Sequence, residues 1–360
     1  MSTLTLYDSP LSNMIVPLSD WFAEHRKELP WRESGDPYAI WLSEIMLQQT
    51  RVAAVLDYYR RFLAEAPTVE TLAALPEERL MKLWQGLGYY NRARNLQKAA
   101  RVIMSEHGGS FPSDYDSVRA LPGVGDYTAG AVCSIAFGLP VPAVDGNVLR
   151  VTARISGDEG DISSPAMKKK VAAALSGLIP LHAPGAFNQA LMELGATVCL
   201  PNGAPLCDRC PARDFCAALA ENRVQELPVK AAKKERKVEE RTVWLILRDG
   251  KVALRRRPSV GLLAGLWEFP NTLAHESLPP DGPFSPSSSD FLGQAKHIFT
   301  HIEWHMTVRS VTVPAEDLPA GWVWADRSEL AHRYAIPGAF DGPRLWAEKL
   351  LPLNEQNKVE

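Results

Sequence analysis

The apolar period of this chain changes once, and that change commits it to two differently built parts. Up to about Cys216 the sequence reads as helices joined by short Gly/Pro loops. Asp36-Pro37 offers a cap and a preset first turn. Behind it Trp41, Ile45, Val52 and Leu56 recur at helical spacing and are expected to face a core. Amphipathic runs follow at Leu80 to Trp84, ended by Gly86 and Gly88, and from about Asn91 to His107, ended by Gly108-Gly109. A stretch rich in Lys, Arg and Glu, Lys230 to Arg241, reads as a linker. Beyond it the period becomes two. Val243, Leu245 and Leu247 alternate, Asp249-Gly250 offers a tight turn, and Val252 and Leu254 resume, the pattern of a β-hairpin. Ile298, Thr300, Ile302, Trp304, Met306 and Val308 alternate again, after a Pro/Ser-rich loop near Pro279 to Ser289. Trp322 to Trp324 gives a further strand, and a helix is expected near the end. The expected fold class is multidomain, all-α followed by α+β. The expected division is 1–228, a linker 229–241, a second domain 242–352 and a disordered tail 353–360.

With 360 residues, 46% hydrophobic and 22% charged, the chain has room for two ordinary globular domains. No run approaches the roughly 18 apolar residues of a membrane helix. Met1 to Pro17 lacks a basic start followed by an apolar core, so no export signal is read and a cytoplasmic location is expected. A net charge of −3 counts weakly against a nucleic-acid partner, because phosphate binding needs a local patch rather than a basic average. Of five cysteines, four crowd between Cys199 and Cys216, while Cys133 sits in an apolar stretch as a core thiol.

Leu121-Pro122-Gly123-Val124-Gly125 lies between two helical segments, Asp114 to Ala120 and Asp126 to Phe137. Two glycines around one apolar residue allow a tight turn and bare the amides of the following helix start to a phosphate. The same residues would also serve as a plain helix–turn–helix joint. Asp145-Gly146, after Val141-Pro142-Ala143-Val144, reads by itself as a helix cap. Taken in order, Leu121 to Gly130 and the loop to Gly146 resemble the helix-hairpin-helix DNA glycosylase superfamily. The resemblance implies that Gly123, Val124 and Gly125 hold the DNA backbone. It also places Asp145 beside the sugar of an extruded nucleotide.

Trp41 to Thr50 and Gly86-Leu87-Gly88-Tyr89-Tyr90 are similar to the MutY-type adenine glycosylase branch, and the similarity extends over essentially the whole chain. Adenine leaves deoxyribose poorly unless a ring nitrogen is protonated, so an acid and a second negative group are needed. Glu44, beside the Trp41/Ile45 stripe, would be partly desolvated with a raised pKa, although most helical glutamates make only surface ion pairs. The resemblance assigns Glu44 the acid role and Asp145 the stabilisation of the sugar cation, with Asn147 positioning water or Asp145. Tyr127 stands where strand-cutting relatives carry a lysine nucleophile; it cannot form a Schiff base, so base removal alone is expected. By the same resemblance Gln49 and Tyr89 wedge into the vacated duplex, while Trp31, Arg32 and Gln189 line the base pocket.

Cys199, Cys207, Cys210 and Cys216 could surround zinc or an iron–sulfur cluster. The resemblance implies a 4Fe–4S cluster, although the first gap is one residue longer than in the family. Gly261 to Pro270 resembles the Nudix-like domain of MutY-type enzymes. The Glu-rich helix of true Nudix hydrolases is missing after Pro270, so this part reads as a recognition module. Phe299-Thr300-His301 resembles the loop that checks for 8-oxoguanine. His297, His301 and His305 are rejected as a zinc site, since residues four apart on one strand lie about 13 Å from each other. The implied partner is double-stranded DNA with adenine opposite 8-oxoguanine or guanine, bound by a monomer away from membranes. Rival expectations are an endonuclease III-like glycosylase/lyase, a Nudix-type nucleotide hydrolase and an inactive DNA-binding module.

Overall fold

A computed structural model describes residues 10–231, 235–273, 289–314 and 318–352. The Pro279 to Ser288 stretch and the tail after Pro352 lie outside the described residues. The chain forms two compact units, with divisions after Ala74, Arg94 and Ala232. Leu75–Arg94 groups with the C-terminal unit, and the rest of the chain before Lys233 makes the other.

The helices in chain order are α1 (Pro10–Asn13), α2 (Ile15–His25), α3 (Pro30–Glu33), α4 (Pro37–Leu47), α5 (Val52–Glu65) and α6 (Val69–Ala74). Next come α7 (Glu77–Trp84), α8 (Asn91–Glu106), α9 (Tyr115–Ala120), α10 (Asp126–Phe137), α11 (Gly146–Ser156), α12 (Pro165–Ser176), α13 (Pro184–Thr197) and α14 (Ala217–Ala220). Asp36 caps α4 by accepting from Tyr38 N at 2.9 Å, and Pro37 opens its first turn. Every residue from Tyr38 to Met46 is buried, so α4 is a core helix on all faces and not an amphipathic one. The expected stripe stops there: the chain breaks after Gln48, with Gln49 in the left-handed region at φ 58°. Val52 and Leu56 fall on α5, half-buried, and Val55, Tyr59 and Phe62 form its buried face instead.

Asp114 caps α9 through Ser117 N at 2.9 Å, and Gly125 is the N-cap of α10, as the turn chemistry requires. Gly123 takes φ 78°, and a Cβ there would stand 2.5 Å from Asn95 Cβ, so both conformation and space demand glycine. A second close approach fixes the loop before α11. A Cβ at Gly130 of α10 would meet the Pro142 carbonyl oxygen at 2.1 Å. Asn188 of α13 grips the same loop, donating to Val141 O at 2.9 Å and accepting from Ala143 N at 3.1 Å. The core of this unit gathers Leu18 and Phe22 with Val148, Val151 and Ile155 of α11 and Phe187, Leu191 and Leu194 of α13. Each such side chain stabilises the fold by roughly 1.5–3 kcal/mol on burial.

The second unit is built on β1 (Lys237–Arg248), β2 (Lys251–Arg256), β3 (Trp267–Glu268), β4 (Asn271–Leu273), β5 (Asp290–Ile298), β6 (Ile302–Thr312) and β7 (Trp322–Ala325). The sheet order is β3-β2-β1-β6-β5, with β4 paired to β1 and β7 to β2. β1 and β6 run parallel, and the other pairs are antiparallel. The β1–β2 hairpin has Arg248 opposite Lys251 around Asp249-Gly250, both at positive φ as a type I′ turn needs. β1 starts at Lys237, inside the charged stretch read as linker, because pairing with β6 satisfies its backbone from Lys237↔Ile302 onward. The alternation from Ile298 to Val308 is two strands and not one: His297 faces Trp304 and Ile298 faces Glu303 across a turn at 299–301. That hairpin removes the single-strand premise used for the histidines. His305 sits opposite Lys296 and bonds Glu240 and Glu303 at 3.0 and 2.7 Å. α15 (Arg327–His332) and α16 (Asp341–Leu350) complete this α+β unit. Two side chains fasten Leu75–Arg94 to it: Lys82 Nζ donates to Tyr334 O at 3.0 Å, and Arg94 Nη2 donates to Ala264 O at 2.6 Å.

Candidate active site

The body of α4 and the starts of α10 and α11 bring the candidate chemistry together. Glu44 on α4 is 6% exposed, and its Oε2 accepts from Tyr127 Oη of α10 at 2.6 Å. Burial raises the Glu44 pKa to about 7; the Tyr127 hydrogen bond opposes this, the Asp145 charge adds to it, and Arg32 opposes it. Burial likewise drives the Tyr127 hydroxyl well above its ordinary value, so it stays a donor, touching Met192 Sδ at 3.2 Å as well. Asp145 does cap α11, accepting from Val148 N at 2.8 Å. Its other oxygen accepts from Asn147 Nδ2 at 2.8 Å, leaving the carboxylate beside Glu44 in the electrostatic sense. Burial raises the Asp145 pKa, while these hydrogen bonds and the Arg150 charge work against the rise. Arg150 Nη2 donates to Asn147 Oδ1 at 2.8 Å and so holds the residue that holds Asp145. Burial raises both carboxyls, but Asp145 accepts two hydrogen bonds beside Arg150 where Glu44 accepts one, which suits Asp145 to the anionic task and Glu44 to the acidic one.

Arg32 on α3 is half-buried, donates to Glu193 Oε2 at 2.6 Å and acts electrostatically on Glu44. Trp31 is buried edge-on to Tyr59, a core aromatic in this geometry. Gln189 is half-buried and donates to Gly185 O at 3.2 Å. Gln49 is exposed at the turn after α4, which Gln48 ties to α10 through Thr128 Oγ1 at 3.2 Å. Gly123 and Gly125 are exposed, Val124 is buried, and α10 starts without a side-chain cap on its first amides.

In the C-terminal unit, Tyr89 has φ 47°, is 52% exposed and lies 3.3 Å from Thr300 Oγ1 through its hydroxyl. Phe299 is anchored edge-on between His297 and Trp304, which leaves Thr300 and His301 exposed at the turn. Sequence reasoning missed Glu193, Arg150, Asn188 and Met192. Glu193 meets Arg32 across 161 residues, and no local pattern signals such a pairing.

The iron–sulfur expectation is corrected. Cys199, Cys207, Cys210 and Cys216 are free cysteines that line one cavity with Val151, Ile155 and Leu194. Among the described residues, however, no group of three or more His, Cys, Asp or Glu is disposed to hold a metal ion. As free thiols in this cavity, Cys210 is pushed by burial up to about 12, and Cys207 and Cys216 are raised as well. Arg154 also engages two of the sulfurs: its Nη1 donates to Cys199 Sγ at 3.3 Å, and its carbonyl accepts from Cys216 Sγ at 3.4 Å. The fold class therefore stands without a 4Fe–4S cluster loop, and the metal-binding expectation falls with it.

A helix–hairpin–helix with a buried carboxyl pair at its back defines a class. Residues 42–180 match the HhH-GPD superfamily of base excision DNA repair proteins, and residues 242–342 match the NUDIX domain. Over 89% of its length the chain is 33% identical to the adenine DNA glycosylase of Homo sapiens, covering 71% of that protein. It is 34% identical to that of Buchnera aphidicola subsp. Baizongia pistaciae over 77% of each chain. Among solved structures, a thermostable thymine-DNA glycosylase superposes with a TM-score of 0.54 at 29% identity, over 59% of this chain and 97% of that one. A non-covalent endonuclease III–DNA complex superposes with a TM-score of 0.52 at 26% identity, over 62% and 100%. The chain belongs to the adenine DNA glycosylase family, DNA-binding hydrolases of the N-glycosyl bond. Among the described residues no helix is long and apolar enough to cross a membrane.

Proposed function

We propose that the chain, as a monomer, removes adenine opposite 8-oxoguanine or guanine in duplex DNA, with Glu44 as the acid, and leaves an abasic site. The observation that carries this is a buried carboxyl with a pKa of about 7, hydrogen-bonded at 2.6 Å to a tyrosine. Such a group is about half protonated near neutral pH and can deliver its proton to a purine ring nitrogen. Asp145, held by Asn147 and the Val148 amide, then stabilises the oxocarbenium-like sugar left behind. Tyr127 stands at the hairpin position with a phenol and no amine, which supports base removal without strand cleavage.

The extruded adenine enters beside Arg32 and Gln189, with the buried Trp31 packed on Tyr59 as the wall behind them, while Gln49 and Tyr89 fill the gap in the duplex. The exposure of both side chains supports this. The turn at Gly123, Val124 and Gly125, exposed at both glycines, binds a phosphate of the DNA backbone at the uncapped start of α10. The exposed Thr300 and His301 read the base opposite, on a loop stiffened by Phe299.

The test is a duplex with one adenine opposite 8-oxoguanine, incubated with protein and scored for breaks with and without alkali. A fully paired duplex and Glu44→Gln run beside it. Breaks that need alkali, the mismatch and Glu44 are expected. Breaks without alkali would remove the monofunctional reading, and tight binding without cleavage would leave only a recognition module.

A further inference from the structure

Glu193 is a buried carboxylate that the chemistry above does not use. It lies on α13, is 7% exposed, and accepts from Arg32 Nη2 at 2.6 Å, with Lys27 Nζ at 3.5 Å. The Arg32 side chain is itself only 14% exposed, whereas that of Lys27 is 55% exposed and screened by solvent. Arg32 is held on two further sides: its Nη1 donates to Lys27 O at 3.1 Å, and its guanidinium stands 5.3 Å from the Phe22 ring centre. The preceding residue, Met192, touches Tyr127 Oη, so this turn of α13 borders the Glu44 pocket. Three groups face Glu44 electrostatically: Tyr127 from α10, Asp145 from the head of α11, and Arg32 from α3. Of these only Arg32 is a cation, and its sheltered counter-charge is Glu193.

We infer that Glu193 is a positioning residue for base excision: it fixes the Arg32 guanidinium beside the adenine pocket and offsets its charge, so that Glu44 keeps its proton until adenine arrives. The physical reason is distance and shelter. An uncompensated cation in a dry site favours the ionised form of a neighbouring carboxyl far more strongly than it would in water. A carboxylate bonded at 2.6 Å cancels most of that field at longer range.

This rests on the reading of Glu44 as the acid, and one experiment separates the two. Single-turnover excision from an adenine:8-oxoguanine duplex is measured from about pH 5.5 to about pH 9 for the parent protein, Glu193→Gln and Glu193→Asp. Thermal melts confirm that each variant is folded. The parent rate is expected to fall as the pH rises through the Glu44 midpoint. In Glu193→Gln the fall comes earlier, so the variant-to-parent rate ratio drops about tenfold between acid and alkaline pH for a one-unit displacement. Glu193→Asp, which keeps the charge, returns the midpoint toward that of the parent. A merely structural role would lower the rate by one factor at every pH. That result, or an aspartate variant displaced as far as the glutamine one, overturns the inference and leaves Glu44 as the acid. A parent rate that does not fall with pH overturns both.

Discussion

Replacing Glu44 with glutamine keeps the shape of the side chain and an acceptor for Tyr127 Oη, but removes its ability to ionise. In the folded chain, burial raises Glu44 from its ordinary 4.5 to about 7. A raised folded pKa gives stability that is complete below the unfolded value and disappears as the pH climbs through the folded one. Above pH 7 the folded protein must therefore hold a dry carboxylate that the unfolded chain leaves in water. The rise from 4.5 to about 7 corresponds to roughly 3 kcal/mol, most of it developing between about pH 5 and about pH 8. Glutamine does not ionise. The Glu44→Gln variant should thus gain about 2–3 kcal/mol relative to the parent on going from the lower to the higher pH. Urea unfolding of the helical unit, followed by far-ultraviolet circular dichroism at both pH values, measures this directly. A stability difference that is the same at both would refute the claim that Glu44 titrates in a dry site. The prediction holds whatever the enzyme excises, and it places stored instability at the reacting group.

Tyr127→Phe removes the hydrogen bond that favours ionised Glu44, so the alkaline fall of the excision rate should move up by about one pH unit, given roughly 1.5 kcal/mol for a bond to a charged group; pH–rate profiles check the direction. Gly130→Ala forces a Cβ onto the Pro142 carbonyl, and a loss of about 1–3 kcal/mol is expected in thermal unfolding, with slower excision as the Asp145 loop shifts. Asn188→Ala strips the partners from Val141 O and Ala143 N; single-turnover excision should fall several-fold and melting should show a loss of about 1–3 kcal/mol. Thr300→Val deletes the hydroxyl that meets Tyr89, and competition between duplexes with 8-oxoguanine and guanine opposite adenine should show reduced preference for the former.

What could be read in advance was local. The ends of α9 and α10 follow from Asp114 and from the Pro-Gly-Val-Gly turn, whose demands on φ lie within five residues. The β1–β2 hairpin follows from Asp249-Gly250 for the same reason. The break after Gln48 was hidden because Val52 and Leu56 continue the period of α4 by coincidence. The 299–301 turn was hidden because Thr300 preserves the alternation while the chain reverses. The four-cysteine spacing misled because spacing reports nearness along the chain and not how the side chains are disposed in space.

By itself, then, the sequence determined the two architectures, the hairpin, the capping aspartate and the residues with suitable chemistry, since each depends on neighbours a few positions apart. Tertiary structure alone decided that Glu44 is dry on a helix buried on every face, and that Tyr127 meets it across 83 residues. It also decided that Glu193 holds Arg32, and that Leu75–Arg94 packs with the C-terminal unit. The reason is that desolvation and counter-charge, the two quantities that set a proton's affinity, are sums over whatever surrounds a group in space, and no local pattern carries them.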